Sequence, residues 1–300
     1  MKVNCKLLTY AIKLTAVVAI INHHLKLIIK NHKSKAAAYE LSYNYRFGRV
    51  NYIKRGNGPA ALLLHNPAID GSKSEWEAVI SSLSRNCTVF ATDLPGFGNS
   101  AQPDMPYSSY LYASFINDFI ENVIGEPALV IASGKSADFA LCAASFTVEN
   151  FKKLVMVSPT GFREIPQKCH YSSAIKYLIE LPLYGTFIYN LFWIGFLIVN
   201  LLPLRRLSIN NHRFNYSRLS LSDQASKFAV FALYCGDLNI DIRNVSKKLT
   251  LPMLIVLSST DSIKGIPCEI ETLMFKDAEY MPHLCDTNKF IKEVLSWLKK

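Results

Sequence analysis

Three kinds of side chain in this sequence could together carry out acyl transfer: a serine as nucleophile, a histidine as base and an aspartate to orient it. The stretch Leu129 to Leu141 reads LVIASGKSADFAL. Its apolar run stops at a glycine and is followed by a helix-forming segment, so the spacing predicts a strand, a sharp turn and a helix. Such a turn would lift one residue to the mouth of a site, with Ser133, Gly134 and Ser136 as the candidates.

The elements needed to position these groups follow from periodicity. LSYNYRFGRVNYIKRGNG, from Leu41, reads as a hairpin around Phe47-Gly48. The short apolar runs ALLLHN, CTVFATDL, ALVIAS, KLVMVSP and PMLIVLSSTD then alternate with helical patterns over 75–84, 108–124, 137–145 and 289–298. Continuous apolar strands alternating with helices predict a mostly parallel sheet covered on both faces. In such sheets the chemistry sits on loops at the carboxyl ends of the strands.

Between two of these strands, over about 160–245, lies an insertion. It contains LPLYGTFIYNLFWIGFLIVNLLPL, Leu181 to Leu204, without a charge over 24 residues. Its length permits a membrane span. Pro182, Gly185, Asn190, Gly195 and Asn200 interrupt it, however, and favour apolar lid helices over a pocket, or a lid that also dips into a membrane. Either arrangement implies an apolar ligand or lipid surroundings.

Charge is placed unevenly. Residues 1–39 carry seven lysines and no acid, whereas the remainder holds 26 Lys and Arg against 23 Asp and Glu. The basic segment is also apolar: Leu7 to Ile21 is broken only by Lys13, which is short of a comfortable span. The expectation is a first unit, 1–38, acting as an uncleaved anchor or interfacial helix on an anionic surface, and a second, 39–300, carrying the fold. Four lysines after the apolar run and two before it would leave the main domain cytoplasmic. No basic stripe interleaved with aromatics is present, so nucleic acid is not an expected partner. Seven cysteines without a CxxC pair indicate neither a disulfide framework nor a metal site, and no cofactor is expected.

Four segments resemble the α/β-hydrolase superfamily. LLLHNPAIDGSKSEW is similar to its strand, oxyanion loop and Trp-bearing helix. ATDLPGFGNSAQPD matches its Asp-x-x-Gly-x-Gly-x-Ser segment, PMLIVLSSTDSI the strand ending in the catalytic acid, and AEYMPHLCDTNKF its Gly-His-x-Pro-His-x-Glu segment. The resemblance covers about 40–300 and implies a mostly parallel central sheet, helices on both faces and a helical lid insertion.

It also implies roles. The oxyanion loop is His65-Asn66-Pro67, in which Pro67 has no N–H to donate and Asn66 brings a side chain where glycine is usual. The second oxyanion donor would be the N–H of the residue after the nucleophile, Lys135. Matched without a gap, the nucleophile position falls on Gly134 and the base position on Tyr280, preceded by Glu279. A tyrosine with pKa about 10 is no ordinary general base near neutrality. Slipped by two residues, the turn offers Ser136, with Asp261 and a recruited His283. Cys285 reads as an inert thiol, and His65 as support for the loop. Two functions therefore stand side by side: a degenerate hydrolase-fold protein binding an apolar small molecule or lipid at a membrane face, and an active ester or lipid hydrolase using Ser136, Asp261 and His283.

Overall fold

The computed structural model describes residues 5–36, 40–163, 173–201, 224–261, 263, 265–278 and 281–300. A helix α1, Cys5–Ala36, comes first. The hairpin β1 (Leu41–Tyr45) and β2 (Gly48–Arg55) follows, then β3 (Ala60–Leu64). A 3-10 turn at Lys73–Trp76 leads into α2 (Glu77–Leu83), and β4 (Thr88–Thr92) precedes α3 (Ser109–Phe119). Next come β5 (Ala128–Ser133), α4 (Lys135–Phe146) and β6 (Phe151–Val157).

The described part of the insertion contains α5 (Ser173–Glu180), α6 (Tyr184–Leu201) and α7 (Lys227–Cys235). A short turn of helix, α8 (Arg243–Ser246), brings the chain to β7 (Met253–Ser258). The last elements are β8 (Glu271–Phe275), α9 (Pro282–Cys285) and α10 (Thr287–Leu298).

One eight-stranded sheet has the order β1-β2-β4-β3-β5-β6-β7-β8. Only the β1–β2 and β2–β4 pairs are antiparallel; from β4 to β8 every pair is parallel. The expected strands all form. Their apolar runs need cover on both faces, and every residue of β3, β5 and β7 is buried. One face packs against Phe115, Phe119 and Phe139 of α3 and α4, the other against Trp76, Ile80, Val294 and Trp297. Strand β8 was not apparent from the sequence. It is an edge strand with one fully buried residue, Phe275, so its apolar pattern is weak.

The helices on the first face also hold the loops of the site. Phe139 is fully buried and stacks on Tyr112, with ring centroids 4.8 Å apart. The Tyr112 hydroxyl donates to the Pro95 carbonyl, inside the DLPGFGNS loop, at 3.2 Å. Truncation of Phe139 removes a whole aromatic ring from a packed interior. We expect Phe139→Ala to cost about 3–5 kcal/mol, read as a lower urea midpoint at an unchanged m-value.

Candidate active site

Strand β5 gives way to α4 across a single residue. Gly134 has φ +54° and ψ −126°, a conformation that a side chain strains. Its N–H donates to the Val157 carbonyl of β6 at 2.9 Å, which holds the turn against the sheet. A methyl group added at Gly134 would lie 2.1 Å from Asn66 Oδ1 and 2.6 Å from its Cγ. The space above the apex is therefore filled by the Asn66 amide. Its Oδ1 accepts the Lys135 backbone N–H at 3.1 Å. In the α/β-hydrolases that the sequence resembles, the N–H at the matching position is one of the two donors aimed at an oxyanion.

The Asn66 backbone is held in turn. Its N–H donates to Glu75 Oε2 at 2.9 Å, and its carbonyl lies 3.0 Å from His65 Nδ1. His65 Nε2 accepts the Leu94 N–H at 3.1 Å, which leaves the proton on Nδ1. Burial lowers the pKa of His65, in keeping with a neutral ring that ties two loops together.

The serines of the turn are both occupied. Ser136 Oγ, fully buried in the first turn of α4, donates to the His65 carbonyl at 2.5 Å. Ser133 Oγ donates to Glu75 Oε1 at 2.5 Å. The same Glu75 oxygen is 3.0 Å from His283 Nε2. His283 is buried and stacked on Trp76, centroids 4.1 Å apart. Burial pushes the Glu75 carboxyl upward, but hydrogen bonds from His283 and Ser133 outweigh it and hold the pKa below the usual range.

Asp261 belongs to another group. It accepts the Ser258 N–H at 2.8 Å and the Ser158 hydroxyl at 2.7 Å, and it pairs with Arg163. Among the described residues, no hydrogen bond links Ser136, Asp261 and His283 to one another. The structure instead joins His283 to Glu75, Ser133 and Asn66, leaves Ser136 on His65, and places Asp261 with Ser158 and Arg163. Glu279 and Tyr280 lie outside the described residues.

Beside the elbow, the DLPGFGNS loop is built around Asp93. Asp93 Oδ1 accepts the Lys73 N–H at 2.7 Å, and Oδ2 accepts Lys73 Nζ at 2.6 Å and the Asn99 N–H at 2.9 Å. Lys73 Nζ also pairs with Glu40 at 2.8 Å. Burial alone would raise the Asp93 pKa, yet the adjacent Lys73 charge holds it below the ordinary range. A side chain at Gly98 would meet the Asp93 carboxyl at 2.4 Å, which explains the second glycine of the motif. Lys73, Glu75 and Glu40 were not singled out from the sequence. Their only signal was charge beside a strongly apolar strand, and their charged partners lie far off in sequence, Asp93 20 residues from Lys73 and His283 208 from Glu75.

On the other side of α4, Asp138 is fully buried. It accepts the Thr160 N–H at 3.1 Å and the Thr160 hydroxyl at 2.5 Å, while Lys135 Nζ reaches Asn239. Burial pushes the Asp138 carboxyl up to about 6, against the lowering effect of its hydrogen bonds. Burial also lowers the pKa of Lys135.

No protein-family model matches the chain. A 104-residue stretch is 33% identical to a 2-hydroxy-6-oxo-6-(2'-aminophenyl)hexa-2,4-dienoic acid hydrolase of Metapseudomonas resinovorans, over 33% of this chain and 36% of that protein. A 106-residue stretch is 30% identical to an uncharacterized protein of Mycobacterium tuberculosis, over 35% and 30%. The chain thus spans about a third of the length of these curated relatives. Solved structures match far more of it. They include a hydrolase from Pseudomonas aeruginosa, with TM-score 0.69 and 15% identity over 88% of this chain and 100% of that one. An esterase from Exiguobacterium antarcticum gives 0.64 and 17% over 86% and 99%. A membrane phospholipase A, described as a bacterial virulence factor, gives 0.62 and 15% over 99% and 98%. The chain has the α/β-hydrolase fold.

The raised Asp138 pKa generates a pH test. Folded, this carboxyl binds its proton more tightly than it does unfolded, so its contribution to stability is complete below pH about 4 and is lost as pH rises through about 6. Asp138→Asn keeps an acceptor for Thr160 and removes the titration. We expect the stability difference between wild type and Asp138→Asn to change across this window by at most about 3 kcal/mol, in the direction that favours the variant at higher pH. Denaturant unfolding at a series of pH values measures it; a flat difference would contradict the assignment.

Proposed function

We propose that this chain is a catalytically silent protein on the α/β-hydrolase fold, binding an apolar or lipid-like ligand at the cytoplasmic face of a membrane. One observation carries the reading: the Asn66 amide fills the space above Gly134 and takes up the Lys135 N–H. Serine-type acyl transfer needs a nucleophilic side chain at the apex and a free backbone donor for the oxyanion. Here the first is absent, and the second is satisfied before any substrate arrives. Tyr280 in the matching base position would remove the proton acceptor as well.

The membrane side of the reading draws on α1, whose stretch Leu8–Ile29 is long and apolar enough to cross a bilayer. It also draws on the membrane phospholipase A neighbour, whose likeness extends over nearly the whole chain.

The test uses a fluorophosphonate probe and p-nitrophenyl esters on wild type, Ser136→Ala and the double variant Gly134→Ser/Asn66→Gly. Wild type is expected to remain unlabelled, and its ester hydrolysis to be indistinguishable from that of Ser136→Ala. Apolar material retained on purification, identified by mass spectrometry of organic extracts, should be the same in both. A working triad would instead lose about 10^4- to 10^6-fold in kcat on Ser136→Ala. Probe labelling of wild type that disappears in that variant would restore the hydrolase reading. In the double variant, removing the amide makes room for a serine at the apex, so weak labelling there would support the role given to Asn66.

A further inference from the structure

Helix α6 is amphipathic in the wrong sense for water. Its outward stripe consists of Tyr184, Ile188, Leu191, Phe192, Ile198 and Val199, all exposed, with Gly195 between them. The polar side chains of Thr186, Tyr189 and Asn190 face inward. Asn190 donates to Asn22 Oδ1 at 3.2 Å and accepts from Gln224 at 3.1 Å, and the Tyr189 hydroxyl donates to the Ala225 carbonyl at 2.8 Å. Thr186 is bonded to the Pro182 carbonyl and to Lys227. A helix at a protein–water boundary puts these groups the other way round.

Helix α1 lies against α6 along a defined seam. Thr15 and Asn22 are part-buried and Val18 is buried, with Leu25 and Ile29 part-buried after them, a spacing of 3, 4, 3 and 4 residues. Thr15 Oγ1 is 2.6 Å from the Tyr184 hydroxyl, and Asn22 Nδ2 donates to the Leu183 carbonyl at 2.8 Å. A spanning α1 pulled from this seam would carry Asn22 into hydrocarbon without these partners, which is costly. Outside this seam α1 exposes apolar side chains around the rest of its circumference, among them Tyr10, Ile12, Leu14, Val17, Ile20 and Ile21, with Lys6, Lys13 and Lys26 exposed beside them.

From this we infer that α1 and α6 form a single platform that lies flat in one leaflet of an anionic bilayer, with α1 docked on α6 and not crossing. The placement rests on the membrane part of the function proposed above and gives its geometry. The bilayer is the occupant that fits the charge. α1 is basic and has no acid, which suits anionic headgroups, with lysine stems snorkelling around the apolar stripe.

Docking also gives the platform a route to the site. Gln224 Nε2 bonds to Asn190, the Gln224 carbonyl accepts from Gln102, the Ala225 N–H donates to the Ile69 carbonyl, and the Ser226 N–H donates to the Gly96 carbonyl. The strap 224–226 thereby ties α6 to both loops that border Gly134.

The test is flotation of the full chain with vesicles of phosphatidylcholine and phosphatidylglycerol. Leu191→Glu/Phe192→Glu on α6 and Val17→Glu/Ile21→Glu on α1 should each lower vesicle partitioning by more than about ten-fold. Leu191→Ser/Phe192→Ser, a milder change at exposed positions, should lower it in the same direction with an unaltered near-UV spectrum. A tag on residue 1 should stay open to protease added outside the vesicles. Wild-type flotation of the α6 variants, or a protected tag, overturns the flat platform. So does a lipid-free dimer that the α6 variants dissociate. Fluorophosphonate reactivity is scored separately: a labelled protein that partitions as expected overturns only the silent-site reading, and an unlabelled one that fails to float overturns only the platform.

Discussion

A strand buried on both faces must become a helix within one residue at Gly134, and the rest of the site follows from that constraint. The turn demands φ +54°, and its N–H must be returned to Val157 to keep the sheet intact. With no Cβ at the apex, a neighbouring loop can close in, and Asn66 does so. A buried backbone N–H left without a partner is costly. Once Asn66 Oδ1 satisfies Lys135, the amide is held by that bond and by the Glu75 contact to its own backbone. The polar atoms around the turn are thereby bonded to one another.

Two buried charge networks hold the loops that make this possible. Asp93 with Lys73 and Glu40 organises the DLPGFGNS loop, and Glu75 with His283 and Ser133 organises the loop that carries Asn66. Removing one partner from such a pair is costly, because the remaining charge is stranded in low dielectric. The carboxylates of Asp93 and Glu75 are each satisfied by groups of the protein itself. Lys73 and Glu75 are two residues apart on one turn, so both networks are pinned to the start of the same short helix.

The proposed platform of α1 and α6 extends the same rule of satisfied polar groups to the seam between two helices. The Asn22, Asn190 and Gln224 amides between the helices are bonded, and the outward stripe of α6 is apolar. The strap at 224–226 is common to the platform and to the loops around the apex, so the apolar surface and the site share a mechanical element.

Much of the fold was legible because local signals and burial agree. ALVIAS forms β5 over those six residues, and the helix after it begins within two residues of the expected start, because continuous apolar runs can only be covered on both faces. Edge strand β8 was not, since one buried residue in five leaves no period to read. In the site, the glycine between Ser133 and Lys135 at the end of the apolar run marked the elbow, and Asn66 and Lys135 were singled out through the resemblance. Glu75 and Lys73 were not, because a charged side chain carries no local sign of the partner that will bury it.

By itself the sequence determined the strand–turn–helix, the parallel sheet and a glycine at the apex under an ungapped match, all of which depend on residue type and spacing along the chain. Only the tertiary structure decided that Asn66 covers that glycine, that His283 answers to Glu75 and not to Asp261, and that α6 turns its apolar side outward. Those are through-space pairings between residues as many as 208 positions apart, and their free energy exists only once the sheet has brought the loops together.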